Sequence, residues 1–277
     1  MSYFAAHKLI DENGTAYGVK HVSNKIRTSS MPYLYDIAEG NVSGHVAWAK
    51  FGFNADVDNT EETVWEPGGA YVWPSAAMQM SVKSTDNTND NAGGTGVLKV
   101  KIYYLDTDHA EAVEEVTLSG TTWVDTTAIN ILRINSFRAS DTGTGKAAAG
   151  TITIADKATR AIVYAQISAG YTVSRQAIYT VPAAKVLYIT SVTISAASST
   201  ANQFSRTTLR TTYDDIAEDR TDFFFPHAEF VLSNFTIQRV FELPEYCPAK
   251  TDIIVSSIGN AANSNINISA ALRGWIE

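Results

Sequence analysis

The segment Val97-Leu98-Lys99-Val100-Lys101-Ile102-Tyr103-Tyr104 constrains the fold most. Leu98, Val100, Ile102 and Tyr104 recur with a period of two, and Lys99, Lys101 and Tyr103 fall between them. A helix would scatter both sets around its circumference. A pleated strand separates them onto a core face and a solvent face. Asp106–His109 has the composition of a turn, and Glu111–Ser119 returns with Val116 and Leu118 inward. Glu115, or Glu111 or Glu114 in another register, would then face Lys99 or Lys101 across an antiparallel pair.

The pattern continues through the chain. Ser84–Gly96 and Ser140–Gly150 are loops, because Asn, Asp, Thr and Gly supply turn geometry and no large apolar anchor. Ile129–Phe137 reads as a strand, although its weak alternation also fits partial burial or a short helix, and Thr151–Ile154 follows as another. Beyond Ala155, β runs fall at 162–167, 171–179, 186–196, 204–212, 222–225, 235–241, 252–258 and 265–275, with a Pro-containing turn at Tyr179–Lys185. Runs at this spacing, with Gly, Asn and Pro turns, indicate antiparallel sandwiches or jelly rolls. The expectation is an all-β chain of two consecutive sandwich or jelly-roll-like domains, 41–155 and 156–277. An extended arm over 1–40, poor in periodicity, precedes them. Asp214–Arg220 alone suits a turn of helix.

Asn41–Pro74 is the densest aromatic stretch, with Trp48, Phe51, Phe53, Trp65, Tyr71 and Trp73. Asn54–Glu62 interrupts it with acids and no base. Aromatic side chains each bury a large apolar area, so this stretch meets either a core or a partner. Phe223, Phe224 and Phe225 are consecutive, and in a strand they point to both faces. They too are candidate assembly contacts, with burial inside the sandwich as the equal alternative.

Charge narrows the partners. With 21 bases, 29 acids and a net charge of −8, the chain has no basic run to displace counterions from phosphate, so nucleic acid is not an expected partner. No apolar run approaches the ~18 residues of a membrane span, and Met1–Gly14 lacks the apolar core of a signal peptide. The expectation is a soluble protein made in a cytoplasm, with no membrane partner. Cys247 is the single cysteine, which excludes an intrachain disulfide; between Tyr246 and Pro248 it reads as a small buried residue.

No constellation of catalytic spacing emerges. Asp56, Asp58, Glu61 and Glu62, or Asp86, Asp90 and Asn91, could offer oxygen ligands to calcium, but neither set follows the EF-hand loop, and solvated loop acids are the better reading. Asp214-Asp215 and Glu218-Asp219 read as a charged turn, since glycoside hydrolysis needs two carboxyls held across a cleft. His7, His21, His45, His109 and His227 lack metal-ligand spacing, and nucleophile elbows and phosphate loops are absent. No cofactor, metal or catalytic residue is expected, and the chain reads as a non-enzyme.

The run Asn41–Ile154 resembles a module of tailed-bacteriophage virion structural proteins. The resemblance is carried by N-V-S-G at Asn41–Gly44, F-G-x-N-x-D-V at Phe51–Val57 and E-T-V-W at Glu62–Trp65. It continues through the polar loop Ser84–Gly96, L-x-G-T-x-x-V at Leu118–Val124, R-x-N at Arg133–Asn135 and G-x-I-x-I at Gly150–Ile154. The second half is similar to the sandwich that follows this module, with Y-T-V-P at Tyr179–Pro182, I-T-S-V-T at Ile189–Thr193, P-A-K-T-D-I at Pro248–Ile253 and a closing strand that ends in Trp275. The resemblance implies a virion component that decorates or stabilises the outside of the capsid or the head–tail and neck region, as a head decoration, head fibre or accessory protein. It also implies contact with capsid, neck or tail subunits and a homo-oligomer, with a trimer favoured. A receptor- or glycan-binding tail or fibre protein is the alternative.

Overall fold

The computed structural model describes residues 8–10, 16–18, 21–22, 25–26, 33–214, 219–262 and 264–277, with side chains for 33–214, 224–262 and 264–277. The chain divides into two compact units, Met1–Gly44 and His45–Glu277. In the first, β1 (Lys8–Ile10) pairs antiparallel with β2 (Ala16–Gly18), and β3 (His21–Val22) with β4 (Lys25–Ile26). Helix α1 (Tyr33–Glu39) follows, so the region read as an extended arm contains hairpins and a helix.

The second unit contains β5 (Val46–Val57), β6 (Glu62–Thr63), β7 (Met80–Ser84), β8 (Val97–Leu105), β9 (Glu111–Thr117), β10 (Val124–Asp125), β11 (Arg133–Thr142) and β12 (Ile152–Asp156). It continues with β13 (Val163–Ile167), β14 (Ile178–Thr180), β15 (Leu187–Ser198), β16 (Ser205–Asp214), β17 (Asp219–Leu232), β18 (Thr236–Cys247), β19 (Asp252–Gly259) and β20 (Ile266–Ile276). The chain is all-β, and α1 is its one helix among the described residues. The hairpin β8–β9 forms as the alternation demands. Val100 and Ile102 are fully buried, Lys101 lies opposite Glu115, and the Glu115 carboxylate meets Lys99 at 3.3 Å.

The sheets β10-β7-β12-β13 and β11-β8-β9 enclose one core, with Met80, Ile102, Phe137 and Ile154 fully buried. The sheets β14-β19-β16-β17, with β6 on β19, and β18-β15-β20-β5 enclose a second core around Leu187, Val192, Val255 and Ile268. These are two antiparallel sandwiches, but the chain does not divide between them at 155/156. β5 pairs along β20, and Glu62 and Thr63 pair with Ser257 and Ser256, so residues 46–63 belong to the second sandwich and the first is inserted after them. The physical reason is that a strand's alternation fixes its faces but not its partner, and β5 completes the free edge of β20.

Other expectations shift locally. Ile129 is 71% exposed and its strand begins only at Arg133. Asp214–Arg220 holds no described helix: Asp214 and Asp219 are opposed across the β16–β17 hairpin, and 215–218 lie outside the described residues.

Candidate functional site: the joint between the sandwiches

The motifs that stand apart in the sequence meet where the sandwiches join. Arg133, at the start of β11, donates from Nε and Nη2 to the two carboxylate oxygens of Asp252, the first residue of β19, at 3.1 and 3.0 Å. Both side chains are largely buried, at 12% and 7% exposure. Arg133 Nη1 also donates to the Pro74 carbonyl at 2.8 Å, and the guanidinium lies 5.0 Å from the Trp73 ring centroid. Two residues along, Asn135 Nδ2 donates to the Thr180 carbonyl at 2.8 Å while the Thr180 amide donates to Asn135 Oδ1 at 2.9 Å. The Thr180 hydroxyl closes the circuit on Asp252 Oδ1. R-x-N, Y-T-V-P and P-A-K-T-D-I therefore form one hydrogen-bonded joint. Charge-assisted, bidentate bonds of this kind are strong and directional.

A second tie lies on the same seam. Arg175 Nη2 meets Glu66 Oε1 at 2.7 Å, with the Glu66 side chain 2% exposed. Its guanidinium is held between Phe53 at 4.5 Å and Tyr171 at 3.7 Å. Nearby, Asn54 Nδ2 donates to Glu62 Oε2 at 3.0 Å, and the amides of Asp58 and Gly69 donate to the same carboxylate. F-G-x-N-x-D-V is thus bonded to E-T-V-W. Gly52 is required beneath this contact: a Cβ there would lie 2.3 Å from the Val64 carbonyl oxygen and 2.4 Å from the Ala177 nitrogen.

The loop acids divide differently from the solvated reading. Asp90 is fully buried and accepts from Ser84 Oγ and from the amides of Val97, Ala149 and Gly150 at 2.7–3.0 Å. Asp156 anchors its own turn: burial alone would raise its carboxyl, yet donors from Ile162, Thr159 and Arg160 outweigh it and hold the group at about 2. Among the described residues no group of three His, Cys, Asp or Glu is arranged to hold a metal, and no helix is long and apolar enough to cross a membrane.

The aromatic candidates separate into three sets. Trp65 and Tyr71, 4% and 7% exposed, meet edge to face at 5.0 Å inside the first core, so they are core residues and not assembly contacts. Burial also pushes the Tyr71 hydroxyl well up, against the pull of Arg133. Trp48, Phe53, Trp73, Phe224 and Phe225 are half-buried: Trp48 packs edge-on against Tyr179 at 5.1 Å, and Phe224 stacks on Trp73 at 5.7 Å. Only Phe51 is open, at 46% exposure, and the Phe223 side chain lies outside the described residues.

Sequence reasoning missed the edge formed by β17 and β18, the outer strands of facing sheets. It carries Val231, Phe235, Ile237, Val240 and Leu243, with Leu243 84% exposed. Within it Val240 pairs with Ser191 but Glu245 with Ile189, so the bulge at 241–244 turns Leu243 outward while Phe241 stays buried. The signal in the sequence is apolar residues on both parities of 235–243, which no half-buried strand can hide.

Fold and joint define the chain as a two-sandwich, all-β protein. No family model and no curated protein matches it. Among solved structures it is similar to infectious bursal disease virus, Gt strain, at 9% identity over 89% of this chain and 76% of that chain, with a TM-score of 0.20. The Gx strain gives 9% identity over 84% and 71%, with a TM-score of 0.23. T=1 particles derived from that virus give 10% over 84% and 69%, with a TM-score of 0.21. Likeness at this level carries no argument about the chain.

Proposed function

We propose that the chain is a non-enzymatic structural component of a tailed-phage virion, made in the host cytoplasm and attached to the outside of the capsid or to the head–tail and neck region. The observation that carries this reading is the open β17–β18 edge, where Leu243 and Val240 are 84% and 67% exposed. Apolar residues on an edge that no described strand pairs invite aggregation unless another chain covers them. Sister subunits of a homo-oligomer, a trimer in this reading, are that cover, and the polar joint keeps the two sandwiches in fixed register while they are loaded. The phage assignment itself rests on the module resemblance, whose residues supply the joint. The test is quantitative mass spectrometry of gradient-purified particles: a multi-copy component at fixed ratio to the capsid protein is expected, and absence from intact particles refutes the reading.

A second reading, a receptor- or glycan-binding tail or fibre protein, is favoured by one observation, a cavity between the sandwiches lined by aromatic and cationic side chains.

A further inference from the structure

That cavity measures about 360 Å³ and opens between β5 of the second sandwich and the β11-β8-β9 sheet of the first. It falls within the size range of small-molecule sites. Lys50 and Arg138 line it, and among the described residues no ion pair reaches either. Lys50 Nζ donates to the Asn135 carbonyl, and Arg138 Nη2 donates to the Tyr103 hydroxyl, its guanidinium 4.2 Å from the Tyr103 ring centroid, so each is hydrogen-bonded but not charge-paired. Arg175, a third cation on the wall, is already neutralised by Glu66. Two cations that no described carboxylate neutralises, beside aromatic side chains in one cavity, point to an anionic ligand.

We propose that the cavity binds a sugar that bears a carboxylate, a uronic-acid type of ring. Lys50 and Arg138 hold the carboxylate through charge-assisted bonds. Trp48 and Phe51 offer apolar faces to the C–H side of the ring. Glu111, the one acid on the wall, disfavours a more highly charged phosphate. Burial lowers the Lys50 ammonium to about 7. An anion beside it restores the charged form, so affinity increases as pH falls through that range. The other ionisable groups on the wall are Glu111, Arg138, Arg175, Tyr103 and Tyr179, the last pushed up by burial.

This inference rests on the glycan-binding reading and is independent of the virion assignment. It is tested by isothermal titration of the full chain with glucuronate, glucose and inorganic phosphate, below and above the Lys50 transition. Glucuronate should saturate one site at least about tenfold more tightly than either competitor. Lys50→Met and Arg138→Gln should each weaken it about tenfold, and Glu111→Gln, which removes the repelling charge, should tighten it. The last variant keeps the test open if Lys50→Met does not fold. Absence of glucuronate binding, equal binding of phosphate, or indifference to Arg138→Gln and Glu111→Gln overturns the proposal. Tighter binding of glucose overturns it too, while leaving glycan binding itself in place.

Discussion

Replacing Asp252 by alanine tests the joint directly. The Asp252 carboxylate accepts Arg133 Nε and Nη2 at 3.1 and 3.0 Å and the Thr180 hydroxyl. Removing it leaves a guanidinium only 12% exposed, with just the Pro74 and Leu132 carbonyls still bound. Breaking one half of a buried ion pair costs about 3–5 kcal/mol, because the surviving charge is neither solvated nor paired. Domains of ordinary stability have ~5–15 kcal/mol in total. Urea unfolding followed by tryptophan fluorescence should therefore show a midpoint much lower than wild type. Replacing both partners with apolar residues, Arg133→Met with Asp252→Leu, should recover most of the loss, since no buried charge remains. Non-additivity in that cycle isolates the pair from mere loss of contact. A loss below ~1 kcal/mol in Asp252→Ala, the range of exposed pairs, would show that the joint is solvated and would refute the argument.

Two further outcomes are expected. Gly52→Ala should yield little folded protein, read as lost cooperativity in thermal melts, because the added methyl meets backbone atoms of Val64 and Ala177, which are both packed into the second core. Asp156 makes stability depend on acid: its folded value of about 2 lies below the ordinary 3.8, so its contribution is fully present above 3.8 and is lost as pH falls through 2. In Asp156→Asn, melting temperature should be lower at neutral pH and should approach wild type under acid.

Half-buried strands were legible because a period of two directly reports burial on one face. Val100–Tyr104 and its return, Glu111–Thr117, follow that rule, even to Glu115 opposite Lys101, whereas at the strand ends Val97 and Leu105 are buried on the other parity and Leu98 is only half-buried. Residues 46–57 also read as β, but their partner, Ile266–Ile276, lies at the far end of the chain, and alternation holds no information about such pairing. Tyr33–Glu39 is too short for a helical period to stand out, and it went unread. Aromatic density was ambiguous for a different reason. Trp65 and Tyr71 belong to a core and Phe51 to the surface, yet all three sit in the same kind of sequence.

The site was present in the sequence as fragments whose common purpose only the fold reveals. Arg133, Asn135, Thr180 and Asp252 come from three separate motifs, and each taken alone is an ordinary polar residue next to a strand. Brought together, each satisfies another: Arg133 and the Thr180 hydroxyl donate to Asp252, and Asn135 and the Thr180 backbone exchange a pair of bonds. Such an arrangement resists rotation of one sandwich against the other, because any tilt breaks several short bonds at once in a water-poor seam. In the proposed reading, the apolar side chains left on an edge that no described strand pairs, Leu243 above all, are covered by other chains while this joint holds the two sandwiches in register.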